Sequence, residues 1–325
     1  MNVQRRTFMK LGGIALTALC SRMAWGQSFP TRSVSLVVPY PAGGATDVIA
    51  RLIAEKLRAK WGQAVLVENR AGAGTAIGAQ YVARSEPDGY TLFETTSAHT
   101  ISASLYKKLT YDPIRDFSAI TLTATIPLVL VTAKEVPATT LPEFVAWAKM
   151  QTGVLVAAST GIGTAQHLTS ELFKGRTGVP SQHVPYRGDT PMITELLAGR
   201  AHFAFATLSA VLSHIQSGDL RGIALAHPRR VQAASSILTF AEAGMADFEA
   251  ATWFGTFAPA GLPAALRERI YADISAIVAE PAMTQRLFEL GAEVNNLPPA
   301  QFDGFIQKET LRGAEAVKLS GASVD

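Results

Sequence analysis

Cysteine is almost absent from this 325-residue chain, and the single thiol, Cys20, falls within the first 26 residues. One cysteine excludes an intrachain disulfide and a thiolate metal site. Leu19 before it is larger than the small residue a lipidation signal requires, so T-A-L-C is not read as an anchor. A charge excess is lacking as well. The chain has 29 basic and 26 acidic residues. Residues 1–26 hold four of the basic ones and no acidic one, leaving 25 against 26 in the remainder. The sequence pI of ≈ 9.0 therefore partly reflects that leader. No basic run interleaved with aromatics is present, which argues against a nucleic-acid partner. Catalytic signatures are missing too: there is no G-x-S-x-G elbow, no H-E-x-x-H pair and no phosphate-loop G-K-[ST]. The six histidines, at 99, 167, 183, 202, 214 and 227, have no metal-ligand spacing. The reading is of a protein that is not an enzyme and uses neither cofactor nor metal.

What the N-terminus does contain is an export pattern. Arg5 and Arg6 in Q-R-R-T-F-M-K are followed by the apolar run Leu11–Leu19 and by Ala24-Trp25-Gly26. The run is about half the ~20 residues of a spanning helix, so residues 1–26 read as a cleaved signal peptide of twin-arginine type. An ordinary signal carrying two arginines is the alternative. Some 300 residues remain, enough for two domains.

Strand and helix patterns alternate along that remainder. Ser33–Val38, Ala64–Glu68 and Thr91–Thr95 read as strands, with helices at Asp47–Lys60 and Ile77–Ala83 between them, a β-α-β-α-β order that implies a parallel sheet. The apolar stretch Ser118–Ala133 contains Pro127, which predicts the end of one strand and the start of another. A second series follows from Leu128: Thr140 and Glu143 form a capping box, Val154–Ala158 is a strand, and Leu168, Leu172 and Phe173 share one helix face. Ala201–Ala206 and Gly222–Ala226 are further strands. Gly255–Pro263 suggests a return crossing, after which amphipathic helices run to the C-terminus. The expected fold is α/β with two lobes: residues 27–125 and 255–325 form the first, 126–254 the second, and a ligand cleft lies between them.

Three glycine-rich turns end strands in this scheme: Pro39–Asp47, Asn69–Thr75 and Ser159–Thr164. Gly43 and Gly44, Gly72 and Gly74, and Gly163 would bare backbone amides at helix starts, where an oxygen anion is favoured. Thr46 or Asp47 would cap the first of these helices. Packing alone also explains such turns. Gly72, Gly74 and Gly78 with Glu94 distantly resemble a dinucleotide fingerprint, with one residue too many in the spacing. Arg187 is either a carboxylate clamp or the surface partner of Asp189 or Glu195.

Together these segments resemble the substrate-binding proteins of tripartite tricarboxylate transporters, the Bug/TctC family. The matching stretches are Pro39-Tyr40-Pro41-Ala42-Gly43-Gly44 with Asp47 and Arg51, Asn69-x-x-Gly72-Ala73-Gly74, Pro87-Asp88-Gly89-Tyr90, Gly161-x-Gly163-Thr164-x-x-His167, Val184-Pro185-Tyr186-Arg187-Gly188 and Ala258-Pro259-Ala260-Gly261-x-Pro263. The resemblance implies a periplasmic, monomeric clamshell of the type II periplasmic-binding-protein architecture. It would close on a small carboxylate without chemistry and deliver it to membrane transporter subunits, or present it to a sensor receptor. An exported enzyme acting on a carboxylate or nucleotide is the reading from another class. By position the resemblance nominates Tyr40, Ala42, Gly43, Gly44, Asp47, Ser97, Ser159, Thr164, Tyr186 and Arg187 as ligand contacts. Relatives often carry an acidic or amide residue where this chain has Thr207, which favours a carboxylate with a neutral or apolar remainder over an amino acid.

Overall fold

The computed structural model describes residues 29–324; the expected signal peptide, with Cys20, lies outside the described residues. Strand β1 (Val34–Val38) is made of β-branched and aliphatic residues and enters the core with Leu36, Val37 and Val38 buried. It is paired in parallel with β2 (Val65–Asn69) on one side and β3 (Thr91–Thr96) on the other. Helices α1 (Ala45–Trp61) and α2 (Ala76–Ala83) make the connections, and α1 buries Ile49, Ile53 and Leu57 along one face. Helix α3 (Ala98–Leu105) follows β3 directly.

The strand break expected at Pro127 does not occur. Strand β4 is continuous from Phe117 to Ala133. From Phe117 to Pro127 it pairs with β9 (Ala251–Pro259), and from Leu128 onward with β7 (Phe203–Thr207); β8 (Leu220–Leu225) pairs with the same second half. Pro127 thus stands where the strand changes partners, and the next amide, Leu128 N–H, donates to Ala250 O at 2.9 Å. A missing N–H is tolerated at that junction because no single ladder runs through it. The return crossing also differs from expectation. It lies at Ala250–Ala251 rather than in Gly255–Pro263, since residues from Thr252 on are already paired with β4 in the first sheet.

The second lobe contains α4 (Leu141–Met150), β5 (Leu155–Ser159), α5 (Ala165–Thr177), β6 (Ser181–Pro185), α6 (Asp189–Leu197) and α7 (Leu208–Ser217). Thr140 and Glu143 form the expected capping box on α4. β5 is parallel to both β6 and β7, so the strand order across the molecule is β2-β1-β3-β9-β4-β7-β5-β6. The chain then returns through α8 (Ala264–Val278), α9 (Pro281–Glu289), β10 (Glu293–Leu297) and α10 (Pro299–Ser320). β10, a polar Glu-Val-Asn-Asn-Leu segment, is recruited by pairing with β4 rather than by its own pattern.

Aromatic clusters centre each lobe: Phe93, Phe117, Phe257 and Phe302 in the first, Phe144, Phe173, Phe203, Phe205 and Phe240 in the second. Truncating one such ring to alanine costs about 3–5 kcal/mol. Leu168 and Phe173 on α5 are buried as expected, but Leu172 is 41 % exposed. A smaller cluster of Ile101, Leu105, Leu168 and Val317 ties α3, α5 and α10 together across the two lobes. Among the described residues no helix is long and apolar enough to cross a membrane.

Candidate ligand site between the lobes

The carboxyl ends of β1, β2 and β3 face those of β5, β6 and β7, and the turns at these ends touch across the gap. In the first turn Gly43 has φ +88°, a left-handed conformation that favours glycine, and Gly44 precedes α1 as an extended N-cap with no side-chain cap of its own. Neither Thr46 nor Asp47 takes the cap position, because the helix begins at Ala45. Asp47 reaches backward instead. Its Oδ2 accepts Gly43 N–H at 2.9 Å and Arg51 Nε at 2.8 Å, and its Oδ1 accepts Asn69 Nδ2 at 2.9 Å. Asn69 Nδ2 also donates to Tyr40 O at 2.9 Å. Burial alone would raise the Asp47 carboxyl, but the hydrogen bonds from Arg51, Gly43 and Asn69 together hold it below the ordinary value. Asp47 therefore braces the turn, both its oxygens accepting from the protein.

The second turn is strained. Gly72, Ala73, Gly74 and Thr75 all have positive φ, and Thr75, at φ +90°, is β-branched and 1 % exposed. Such a residue costs on the order of 1–3 kcal/mol and needs surroundings that enforce it. Tyr106 does so by donating its hydroxyl to Ala73 O at 2.8 Å. A Cβ on Gly74 would overlap the Tyr106 hydroxyl and lie 3.1 Å from Ile162 O of the other lobe; one on Gly72 would come within 2.5 Å of Ile77 Cδ1. The chain itself fills the space that these glycines open.

The third turn is held by its own side chains. Ser159 Oγ is bonded to His183 Nε2 at 2.6 Å and accepts Gly161 N–H at 3.2 Å. Thr164 Oγ1 donates to Gly161 O at 2.8 Å and accepts His167 N–H at 3.3 Å, capping α5. His167 Nδ1 accepts Gly163 N–H at 3.1 Å, and its ring stacks on that of His183 with centroids 3.8 Å apart. Burial, His167 and Lys174 push the His183 imidazole down to about 3; burial lowers His167 as well, against the pull of Glu171. The Ser159 and Thr164 hydroxyls expected to meet a solute are thus bonded to the turn. A Cβ on Gly163 would overlap Leu105 of α3, so this glycine permits the lobes to approach.

A fourth turn, Tyr186–Thr190, leads into α6. A Cβ on Gly188 would lie 2.9 Å from Pro41 Cδ, and Thr190 Oγ1 donates to Ala42 O at 3.5 Å. Asp189 Oδ2 accepts Ala45 N–H at 3.2 Å, so a carboxylate from the second lobe sits on the N-terminus of α1. In the sequence Asp189 reads only as a surface partner for Arg187. Neither ion pair expected of Arg187 forms: Glu195 pairs with Arg200 at 2.5 Å, Asp189 turns inward, and Arg187 is exposed. Tyr186 is half-buried beside it, its N–H donating to Ser159 O. Tyr40 bonds Thr96 Oγ1 at 2.8 Å, and burial raises its phenol strongly.

Some of the buried polar atoms without a partner lie near the same strand ends. Ser97 Oγ follows β3, Thr207 Oγ1 ends β7, and Ser209 Oγ lies in the first turn of α7; all three are buried and unbonded, as is Asp189 Oδ1. The dinucleotide alternative loses its acid: Glu94 is fully buried in the sheet, accepting from Thr123 Oγ1 and Thr256 Oγ1. Among the described residues no group of three or more His, Cys, Asp or Glu is placed to hold a metal ion.

These features define a two-lobed binding protein whose polar groups converge on the interlobe gap. The tripartite tricarboxylate transporter family receptor model, TctC, matches residues 49–321, and the chain belongs to that family of periplasmic solute-binding proteins. It is 33 % identical over 321 residues to BugT of Bordetella pertussis, covering 98 % of both chains, and 34 % identical over 312 residues to a UPF0065 protein of Pseudomonas sp. strain P51, covering 96 % and 93 %. Among solved structures, Rpa4515 of R. palustris with adipate has a TM-score of 0.88 at 33 % identity, covering 91 % of this chain and 99 % of that one. MatC of Rhodopseudomonas palustris with bound malate has 0.84 at 30 % identity, covering 89 % and 100 %. The periplasmic binding protein BugD has 0.86 at 31 %, covering 91 % and 99 %.

Proposed function

We propose that this chain captures a small organic carboxylate between its lobes and delivers it to a tripartite-type membrane transporter, without chemical conversion. The observation that carries this is a set of buried hydroxyls without a hydrogen-bond partner near the C-terminal ends of two strands: Ser97 after β3, Thr207 at the end of β7 and Ser209 in the first turn of α7. Hydroxyls and main-chain amides suit an anion in a protein whose remainder has no cationic excess. The adipate and malate in the related structures are both small carboxylates. Of the nominated residues, Tyr40, Ala42, Gly43, Gly44, Ser97, Tyr186, Arg187 and Thr207 form the solute-facing set. Asp47, Gly72, Gly74, Ser159, Gly163 and Thr164 hold the turns that present it. The strand pairing trims the expected second lobe, 126–254, to 128–250, with 251–325 joining 27–127. The two lobes close by a hinge at Pro127 and Ala250–Ala251, and the protein works as an exported monomer using a twin-arginine signal.

A thermal-shift screen of mono-, di- and tricarboxylates tests this reading. A true ligand at ~100 times its dissociation constant stabilises by about 2.7 kcal/mol. A flat response across the panel, or turnover of a bound member, refutes the reading.

A further inference from the structure

Asp189 opens α6 with one oxygen tied to Ala45 N–H across the lobes and the other, Oδ1, sealed from solvent with no donor. The arginines around the gap do not neutralise it. Arg51 is engaged by Asp47 and Asn69, Arg200 by Glu195, and Arg187 is exposed. The neighbouring hydroxyls are engaged elsewhere, Tyr40 with Thr96 Oγ1 and Thr190 with Ala42 O. A buried carboxylate oxygen without a donor is costly, and a second carboxylate brought beside it adds repulsion. A cationic N–H donor relieves both, through a charge-assisted hydrogen bond.

We propose that Asp189 is a specificity-determining residue of the interlobe site, selecting solutes that carry a protonated nitrogen as well as a carboxylate. The inference rests on the carboxylate-binding reading above and narrows it to amino-carboxylates. It revises the preference drawn from Thr207: the acidic group that position lacks is supplied from the start of α6, while the Thr207 and Ser97 hydroxyls remain for the carboxylate end. Burial raises the Asp189 carboxyl to about 6, only the Ala45 amide acting against it, so the group is ionised at pH 8.

Calorimetric titration at pH 8 with matched pairs, malate with aspartate and adipate with 6-aminohexanoate, tests the assignment. In at least one pair the amine-bearing member is expected to bind tenfold or more tighter. Asp189→Asn keeps an acceptor for Ala45 N–H and removes the charge. It is expected to weaken that member at least tenfold while leaving its partner unchanged or improved. Tighter binding of malate and adipate by the wild type, or a selectivity ratio that Asp189→Asn does not move, overturns this inference and leaves the carboxylate reading standing. Equal loss of both members in the variant marks Asp189 as structural and also overturns it. Binding of none of the four by either protein overturns this inference and leaves the carboxylate reading to the wider panel.

Discussion

Lowering the pH should weaken the second lobe through His183, and His183→Gln should remove a defined part of that loss. The imidazole is stacked on His167, bonded to Ser159 and held at about 3 against an ordinary 6.5, chiefly by burial and then by His167 and Lys174. A histidine with a depressed folded-state value binds more protons when unfolded. Its contribution is therefore fully present above 6.5 and is lost as pH falls from 6.5 toward 3. Between pH 7.5 and pH 5 the gap of about 1.5 units below 6.5 corresponds to about 2 kcal/mol. Asp189, raised to about 6, and Glu94, raised to about 7, titrate in the same window with the opposite sign, since protonation favours their folded forms. The quantity to measure is accordingly a double difference. Urea unfolding at the two pH values, in wild type and His183→Gln, should show the variant losing about 2 kcal/mol less on acidification. The corresponding difference in thermal midpoint is about 4 °C. Equal acid sensitivity in the two proteins would refute the burial argument for the stacked pair.

Three other outcomes follow from the geometry. Gly163→Ala places a methyl group against Leu105 and forces alanine to φ +76°, which costs about 1–2 kcal/mol in unfolding; solute affinity should also fall, and Leu105→Ala should restore the affinity part without restoring the backbone part. Asp47→Ala strands Gly43 N–H and Asn69 and should destabilise by about 2–3 kcal/mol in chemical denaturation, whereas Asp47→Asn, which keeps one acceptor, should cost less. Glu94 has a folded-state value raised by burial to about 7, so its stability contribution is lost as pH rises through 7. Glu94→Gln should spare about 1.5 kcal/mol of the decline between pH 6 and pH 9, read as a flatter alkaline limb of the stability profile.

The parallel half of each lobe was legible in the sequence because its signals are local. Val34–Val38 and the Ile49, Ile53, Leu57 stripe declare their periodicity within a few residues, and Thr140 with Glu143 declares a helix start. Elements whose existence depends on a distant partner were misread or missed. β10 is polar and becomes a strand because the edge of β4 accepts it; Pro127 reads as a strand end until β9 and β7 are seen to divide β4 between them. The site divides the same way. The turns carrying Gly43, Gly74 and Gly163 are legible in the sequence, but whether a ligand or close packing needs their bare backbones is not. At Gly74 and Gly163 the need comes from Tyr106 and Leu105.

That distinction changes how the motif residues should be weighed. Asp47, Thr164 and His167 lie in the segments that resemble the family and Ser159 directly precedes one of them, and each bonds a backbone N–H of its own turn or of the helix that follows. Their joint effect is to fix the turns rigidly before any solute arrives, so that binding does not have to order them. A residue bonded in this way is a poor discriminator, since altering it alters the scaffold for every solute alike. Selectivity must then reside in positions whose side chains the scaffold does not engage. Thr207, Ser97 and the free oxygen of Asp189 are such positions, one hydroxyl at the end of β7, one after β3 and one carboxylate at the start of α6. Asp189 alone among the three carries charge, and at pH 8 it presents a negative group to whatever the lobes enclose.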